Sequence, residues 1–155
     1  MPPNAPSSVP KKQRQYYSGK KKRHTQKAQL LADKNTTMIL ATCFSHGRTH
    51  DFALFKAHHG AVAPTCRYLA DSGYTGITSY HANSQTPRKK SKHQPLSPQQ
   101  KAHNRQLARE RIAAEHIIGR LKVFRILCER YRNRRKRFGL RFNLIAALYN
   151  YELTR

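Results

Sequence analysis

Residues 108–137 read ARERIAAEHIIGRLKVFRILCERYRNRRKR, and the rest of the chain is organised around them. The pattern predicts one helix over 107–128, in which Gly119 is the single weak position, tolerated at about 1 kcal/mol. Ala114, Ile117, Ile118, Leu121, Phe124 and Cys128 recur at spacings of three and four, so they should form an apolar stripe. Arg111, Glu115 and Lys122 form another. At about 100° per residue, four and eleven steps leave these three within roughly 40° of one another. Glu115 is then either half of a surface ion pair beside a solvated lysine, or a carboxylate held between two cations on a rigid element.

Composition narrows the choice. Of 155 residues, 31 are Lys or Arg and 7 are Asp or Glu, a formal net charge of +24. Charge of that size and sign calls for a polyanionic partner, nucleic acid first. With 37% hydrophobic residues the chain can still build one core, so it is not merely a disordered tail. A membrane partner is not expected, because no apolar run approaches ~18 residues. The opening MPPNAPSSVPKK has no apolar segment of the secretory kind. Three widely spaced cysteines, Cys43, Cys66 and Cys128, suit reduced thiols in a cytoplasm.

Residues 1–15 are expected to be a flexible, proline-rich lead-in and 16–155 one domain. Lys20, Lys21, Lys22 and Arg23, next to Tyr16 and Tyr17, either contact phosphates or line a solvated loop. Residues 24–33, the turn Asp33-Lys34-Asn35 and the apolar run MILATCF (38–44) suggest a β-hairpin with a connection of four or five residues. Asp51, in HDFALFKAHH, should open a short helix. CRYLAD (66–71) reads as a strand that delivers Asp71 to the glycine turn DSGYTG. A carboxylate there either presents chemistry at a strand end or caps the turn.

No acid occurs between Asp71 and Glu110, and 81–104 should form a basic, mobile linker. Within it, Ser97-Pro98-Gln99-Gln100 is a helix start, with serine as the cap and proline at the first position. Six of the nine residues in 129–137 are Lys or Arg, among them Arg134, Arg135 and Arg137. A final apolar helix over 138–153 should pack Phe142, Ile145, Ala146 and Tyr149 from one side.

Taken together, YYSGKKKRHT, GRTHDF, LADSGYTGI and ARERIAAEHIIGRLKVFRIL resemble, in that order, the C-terminal catalytic part of bacterial insertion-sequence transposases of the DDE superfamily. The likeness runs from about Lys11 to Glu152. It implies an α/β, incomplete ribonuclease H-like fold: a mixed sheet of the hairpin plus one strand, packed by the long helix and the final apolar helix. It implies that Asp71 and Glu115 are catalytic metal ligands and that Mg²⁺ or Mn²⁺ is the cofactor. Arg111 and Lys122 would contact DNA, with Lys20, Lys21, Lys22, Arg23, Arg134, Arg135 and Arg137 as further DNA contacts. Ala108 stands where such helices often carry tyrosine.

The implied partners are the terminal repeats of an insertion sequence and either a second copy or a complementing N-terminal fragment, in a cytoplasmic, nucleoid-associated protein. The family's first Asp precedes a Pro-Lys-Lys segment, and here no acid occurs before Asp33. A truncated, impaired catalytic domain is therefore expected, with Asp51 as a weak substitute ligand. Two alternatives remain. One is a non-catalytic basic binder of nucleic acid, either a transposase remnant or a ribosomal-type RNA binder. The other is a zinc module on Cys43, His46 and His50.

Overall fold

Asp33 decides where the hairpin turns. Its carboxylate accepts from the backbone amides of Asn35 (3.3 Å) and Thr36 (3.1 Å) and from the Thr36 hydroxyl (2.6 Å), an aspartate turn that mimics a backbone turn. These bonds hold the Asp33 carboxyl below its ordinary pKa, the Thr36 hydroxyl contributing most. The turn joins β3 (Gln26–Ala32) to β4 (Ile39–His46), antiparallel from Gln26 opposite His46 to Ala32 opposite Ile39. The connection is six residues long, 33–38, rather than four or five.

Before it, β1 (Tyr17–Ser18) and β2 (Arg23–His24) form a second, minimal antiparallel pair. The computed structural model describes residues 16–18, 22–58, 62–92, 94–129 and 135–155. The lead-in 1–15, Lys20, Lys21 and Arg134 lie outside them. Gly47 lets these two pairs approach: a Cβ there would meet Thr25 Oγ1 and the carbonyl oxygens of Thr25 and Tyr16, both at 2.7 Å.

Next comes α1 (Asp51–His58), as expected, with Asp51 in its first turn. β5 (Tyr68–Leu69) follows, but it does not join the hairpin. It pairs in parallel with β6 (Ser84–Gln85), so among the described residues three two-stranded ladders replace the single mixed sheet. The reason is local: Arg67 and the 3-10 turn Ile77–Ser79 bring 84–85 alongside, while β3 meets the turn after β5 through side chains only.

α2 (Pro98–Leu121) starts where Ser97-Pro98 predicts. Ser97 Oγ accepts from the Gln100 amide (3.2 Å) and Gln100 Oε1 accepts from the Ser97 amide (3.1 Å), a complete capping box. In the segment before it, Arg88 is pinned, its backbone N and O bonding to both amide atoms of Asn104.

The helix is not continuous to 128. It ends at Leu121, and a short α3 (Arg125–Cys128) starts after Phe124, which takes an extended backbone. The break turns Ile126 and Leu127 onto the core. Phe124, Ile118 and Cys128 remain exposed, so the buried seam of α2 is Leu107, Ile117 and Leu121. The residues at helical spacing between the first two are Glu110 and Ala114.

Finally, α4 (Phe138–Leu153) buries Phe142, Ile145, Ala146 and Tyr149, as its pattern predicts. These four, with Ile39 of β4 and Ile117 and Leu121 of α2, form the main core. A second cluster joins Phe55 of α1 to Ala70 and Ile77, with Phe52, Tyr68 and Tyr74 packed on it. Among the described residues no helix is long and apolar enough to cross a membrane.

A polar clamp holds α4 on the hairpin. The register slips between Leu31 and Ala32, and beside this irregularity the Asn150 side chain accepts from Ile39 N (2.9 Å) and donates to Ile39 O (2.8 Å). Replacing Asn150 with alanine would leave both half-buried groups unpaired. We expect N150A to lose roughly 2–4 kcal/mol of stability, read as a lower urea midpoint with an unchanged slope.

Candidate active site

Asp71 is placed by β5. The Ala70 amide bonds to the Gln85 carbonyl (3.0 Å) and Ala70 is buried, so the ladder ends one residue before the carboxylate. Tyr74 N then bonds to Asp71 O (3.0 Å), Gly76 takes a φ of 84°, and buried Ile77 anchors the far end. Glycine is favoured at such an angle, where a Cβ is strained. The capping reading of Asp71 holds, and the side chain also reaches α2. Its Oδ1 caps the turn by accepting from Ser72 N (2.7 Å), and the same atom accepts from Arg111 Nη1 (3.3 Å). Its Oδ2 makes no hydrogen bond among the described residues.

Arg111 therefore pairs with Asp71 across 40 positions of sequence rather than with Glu115 on its own helix. One turn further along α2, Glu115 is exposed and has no ion-pair partner among the described residues. Lys122 caps the C-terminal end of α2 and is exposed. The Asp71–Arg111 contact thus ties the strand-end acid to the turn of α2 that precedes Glu115. A Cβ at Gly119, one turn beyond Glu115, would meet nothing within 4 Å, so the surface beside the carboxylate is open.

Asp51, at the start of α1, is occupied. It pairs with Lys27 Nζ (3.0 Å), which also donates to Thr49 O (2.6 Å). Asp51 and Asp71 both act on Tyr74, a residue that sequence reasoning passed over. The Tyr74 hydroxyl accepts from Gln29 Nε2 (2.9 Å), and its ring packs edge-on against Phe52 and Phe55. Burial raises its pKa, the carboxylates of Asp51 and Asp71 add to the rise, and the Gln29 bond offsets part of it, leaving it at about 12. Tyr74 thus fixes the turn of Asp71 against α1 and β3 together. Only its place within DSGYTG hinted at that.

Of the other predicted cations, Lys22 has a left-handed backbone (φ 47°), Arg23 lies in β2, and Arg137 precedes α4; all three are exposed. Arg135 opens the 3-10 turn before α4.

The zinc reading does not survive. His50 Nδ1 accepts from the Phe52 amide (3.2 Å) at the start of α1, and the His46 ring lies 4.3 Å from that of Tyr16. Among the described residues no three His, Cys, Asp or Glu side chains gather as a metal site.

A second acid missed by the sequence reading is Glu110, whose side chain is 12% exposed. It accepts from Lys34 Nζ (3.1 Å) and Arg67 Nη1 (2.9 Å), joining the hairpin turn, β5 and α2. The Lys34 bond holds the Glu110 carboxyl below its ordinary 4.5; burial pushes back against it, and the Arg67 bond with the two charges adds to the lowering. A lowered carboxylate pKa gives stability that is present above the unfolded value and lost as pH falls through the folded one. E110Q should therefore narrow the gap between the urea midpoints at pH 7 and pH 3 relative to the parent chain, Asp33 accounting for part of what remains.

Comparison with known proteins gives two positive findings. A family model described as DDE superfamily endonuclease matches residues 2–150. A probable transposase for insertion sequence element IS702, from Microchaete diplosiphon, is 48% identical over 150 residues, covering 96% of this chain and 54% of the relative. The chain thus spans about half the length of the curated relative it matches. No solved structure matches it.

Proposed function

The chain belongs to the DDE superfamily of endonucleases, and from that premise we propose that it provides two metal-binding carboxylates, Asp71 and Glu115, to an insertion-sequence transposase that cuts and joins DNA. The observation that carries this is the Asp71–Arg111 contact at 3.3 Å. It ties a strand-end acid to the helix turn that precedes the helix acid. Hard Mg²⁺ or Mn²⁺ takes carboxylate oxygens and keeps several waters. Asp71 Oδ2 and the exposed Glu115 carboxylate fit that donor set, and Asp71 and Glu115 would hold the ion. When bound, the metal activates a water or a 3′-hydroxyl and stabilises the leaving oxygen at a phosphodiester.

This chain's residues perform the supporting work. Arg111 orients Asp71, Tyr74 braces its turn, and Lys122 with Arg23 and Arg137 attracts the phosphates. Two carboxylates are a thin grip for such an ion. A third, we infer, comes from a strand outside these 155 residues that lies between β3 and β5. The Gln29–Tyr74 hydrogen bond now runs from β3 to the turn after β5, with no ladder between the two strands. That strand would complete a ribonuclease H-like sheet, and its source is a complementing segment. The terminal repeats of an insertion sequence are the proposed DNA.

A second reading, a non-catalytic binder of nucleic acid, is favoured by one observation: no three metal-ligating side chains converge among the described residues. Metal-dependent strand cleavage separates the two. Under the first reading D71N and E115Q each abolish cleavage by the completed domain while DNA affinity is kept; under the second no completed form cleaves.

A further inference from the structure

A cleft of about 450 Å³ lies between α2, the hairpin turn and α4. Its rim carries Lys34, Arg109, His116 and Arg120, and Ile112 and Leu153 add apolar surface. At 100° per residue, Arg109, Ala113, His116 and Arg120 fall within about 60° on α2, centred roughly 150° from the mean direction of Arg111, Glu115 and Lys122. The cleft and the candidate active site thus use nearly opposite sides of one helix.

Its charge is only partly compensated. The one acid in the lining, Glu110, is engaged by Lys34 and Arg67. Arg109, His116 and Arg120 have no ion pair among the described residues. The arrangement of these groups also selects an occupant. Arg109 and Arg120 are eleven residues apart, about 16 Å along the helix, with His116 between them. An isolated anion would be served by converging cations, whereas a row of this length matches successive phosphates along one strand of a duplex. The wall opposite is held firm, because the Tyr149 hydroxyl donates to Thr37 O (3.2 Å) and Asp33 fixes the turn.

We propose that this cleft is a second DNA-binding surface, which takes the phosphate backbone of a DNA segment other than the one at Glu115. The chain would then hold two DNA segments, one on each side of α2. This rests on the DNA-binding reading above, and the test separates the two. p-Benzoylphenylalanine placed at His116, in the cleft, or at Ile118, on the Glu115 side, is photocrosslinked to a labelled duplex in 0.15 M salt. Both positions are exposed.

Both should crosslink. R109A/R120A should cut the yield at position 116 on the order of thirtyfold, the loss expected for two phosphate contacts at that salt, and leave position 118 within about twofold. R111A/K122A should do the reverse, and R109K/R120K should restore position 116. Crosslinking at 118 but not 116 would overturn the cleft and spare the active-site reading. Equal loss at both positions in R109A/R120A would show one continuous surface and overturn the cleft as a separate one. Crosslinking at neither would overturn both readings.

Discussion

Raising the salt from 50 to 200 mM should weaken binding of this chain to duplex DNA by roughly a thousandfold, with little dependence on base sequence. The figure follows from six neutralised phosphates, each contributing a slope of about −0.9 in log affinity against log salt. The cations are present in excess: the chain carries +24, and the track from Ser72 to Arg109 contains no acid. Sequence selectivity is not expected from it, because phosphate contacts position a protein without reading bases. Equilibrium binding to two unrelated duplexes across that salt range checks the prediction. A slope shallower than about −2 would mean that few phosphates are engaged.

The second large effect concerns cleavage. Alone, the 155-residue polypeptide should cut DNA in Mg²⁺ or Mn²⁺ at least about a thousandfold more slowly than the same polypeptide joined to the part of its insertion-sequence relative that it does not match. The reason is ligand count. A metal contributes several kcal/mol to a phosphoryl transition state, and about 4 kcal/mol corresponds to that factor. Asp71 and Glu115 give two protein ligands where three are proposed, so occupancy falls with the missing one. E115Q in the joined form should abolish the activity. If the 155 residues cleave robustly by themselves and E115A removes that activity, the third ligand lies within them. Asp51, once released from Lys27, would then be the candidate.

Several of these features were legible in the sequence, for physical reasons that differ. The start of α2 could be read because a capping box is a local device: Ser97, Pro98 and Gln100 contain all of it. The buried side of α4 could be read because its apolar period has no competing pattern, and the strand-end place of Asp71 because a strand, an acid and a glycine turn stand in order.

The end of α2 could not be read. Leu121, Phe124 and Cys128 keep helical spacing, but packing Ile126 and Leu127 on the core overrode that local pattern. Nor could the partners of Glu110, since Lys34 and Arg67 are 76 and 43 positions away. Its position on the Leu107–Ala114–Ile117 seam was the only local sign that this acid is tucked in. Pairing of β5 with β6 was hidden because two-residue strands carry no periodicity.

The account stands on Asp71 and Glu115 sharing one divalent ion, and Mn²⁺ titration of the ¹⁵N-labelled chain tests that most directly. Paramagnetic broadening needs only weak binding. The account predicts that amides around Asp71 and around Glu115 broaden first and together, and that D71N or E115Q removes the effect at both sites. Broadening centred on Asp51 or Glu110, or on one of the two sites while the other stays sharp, would contradict it.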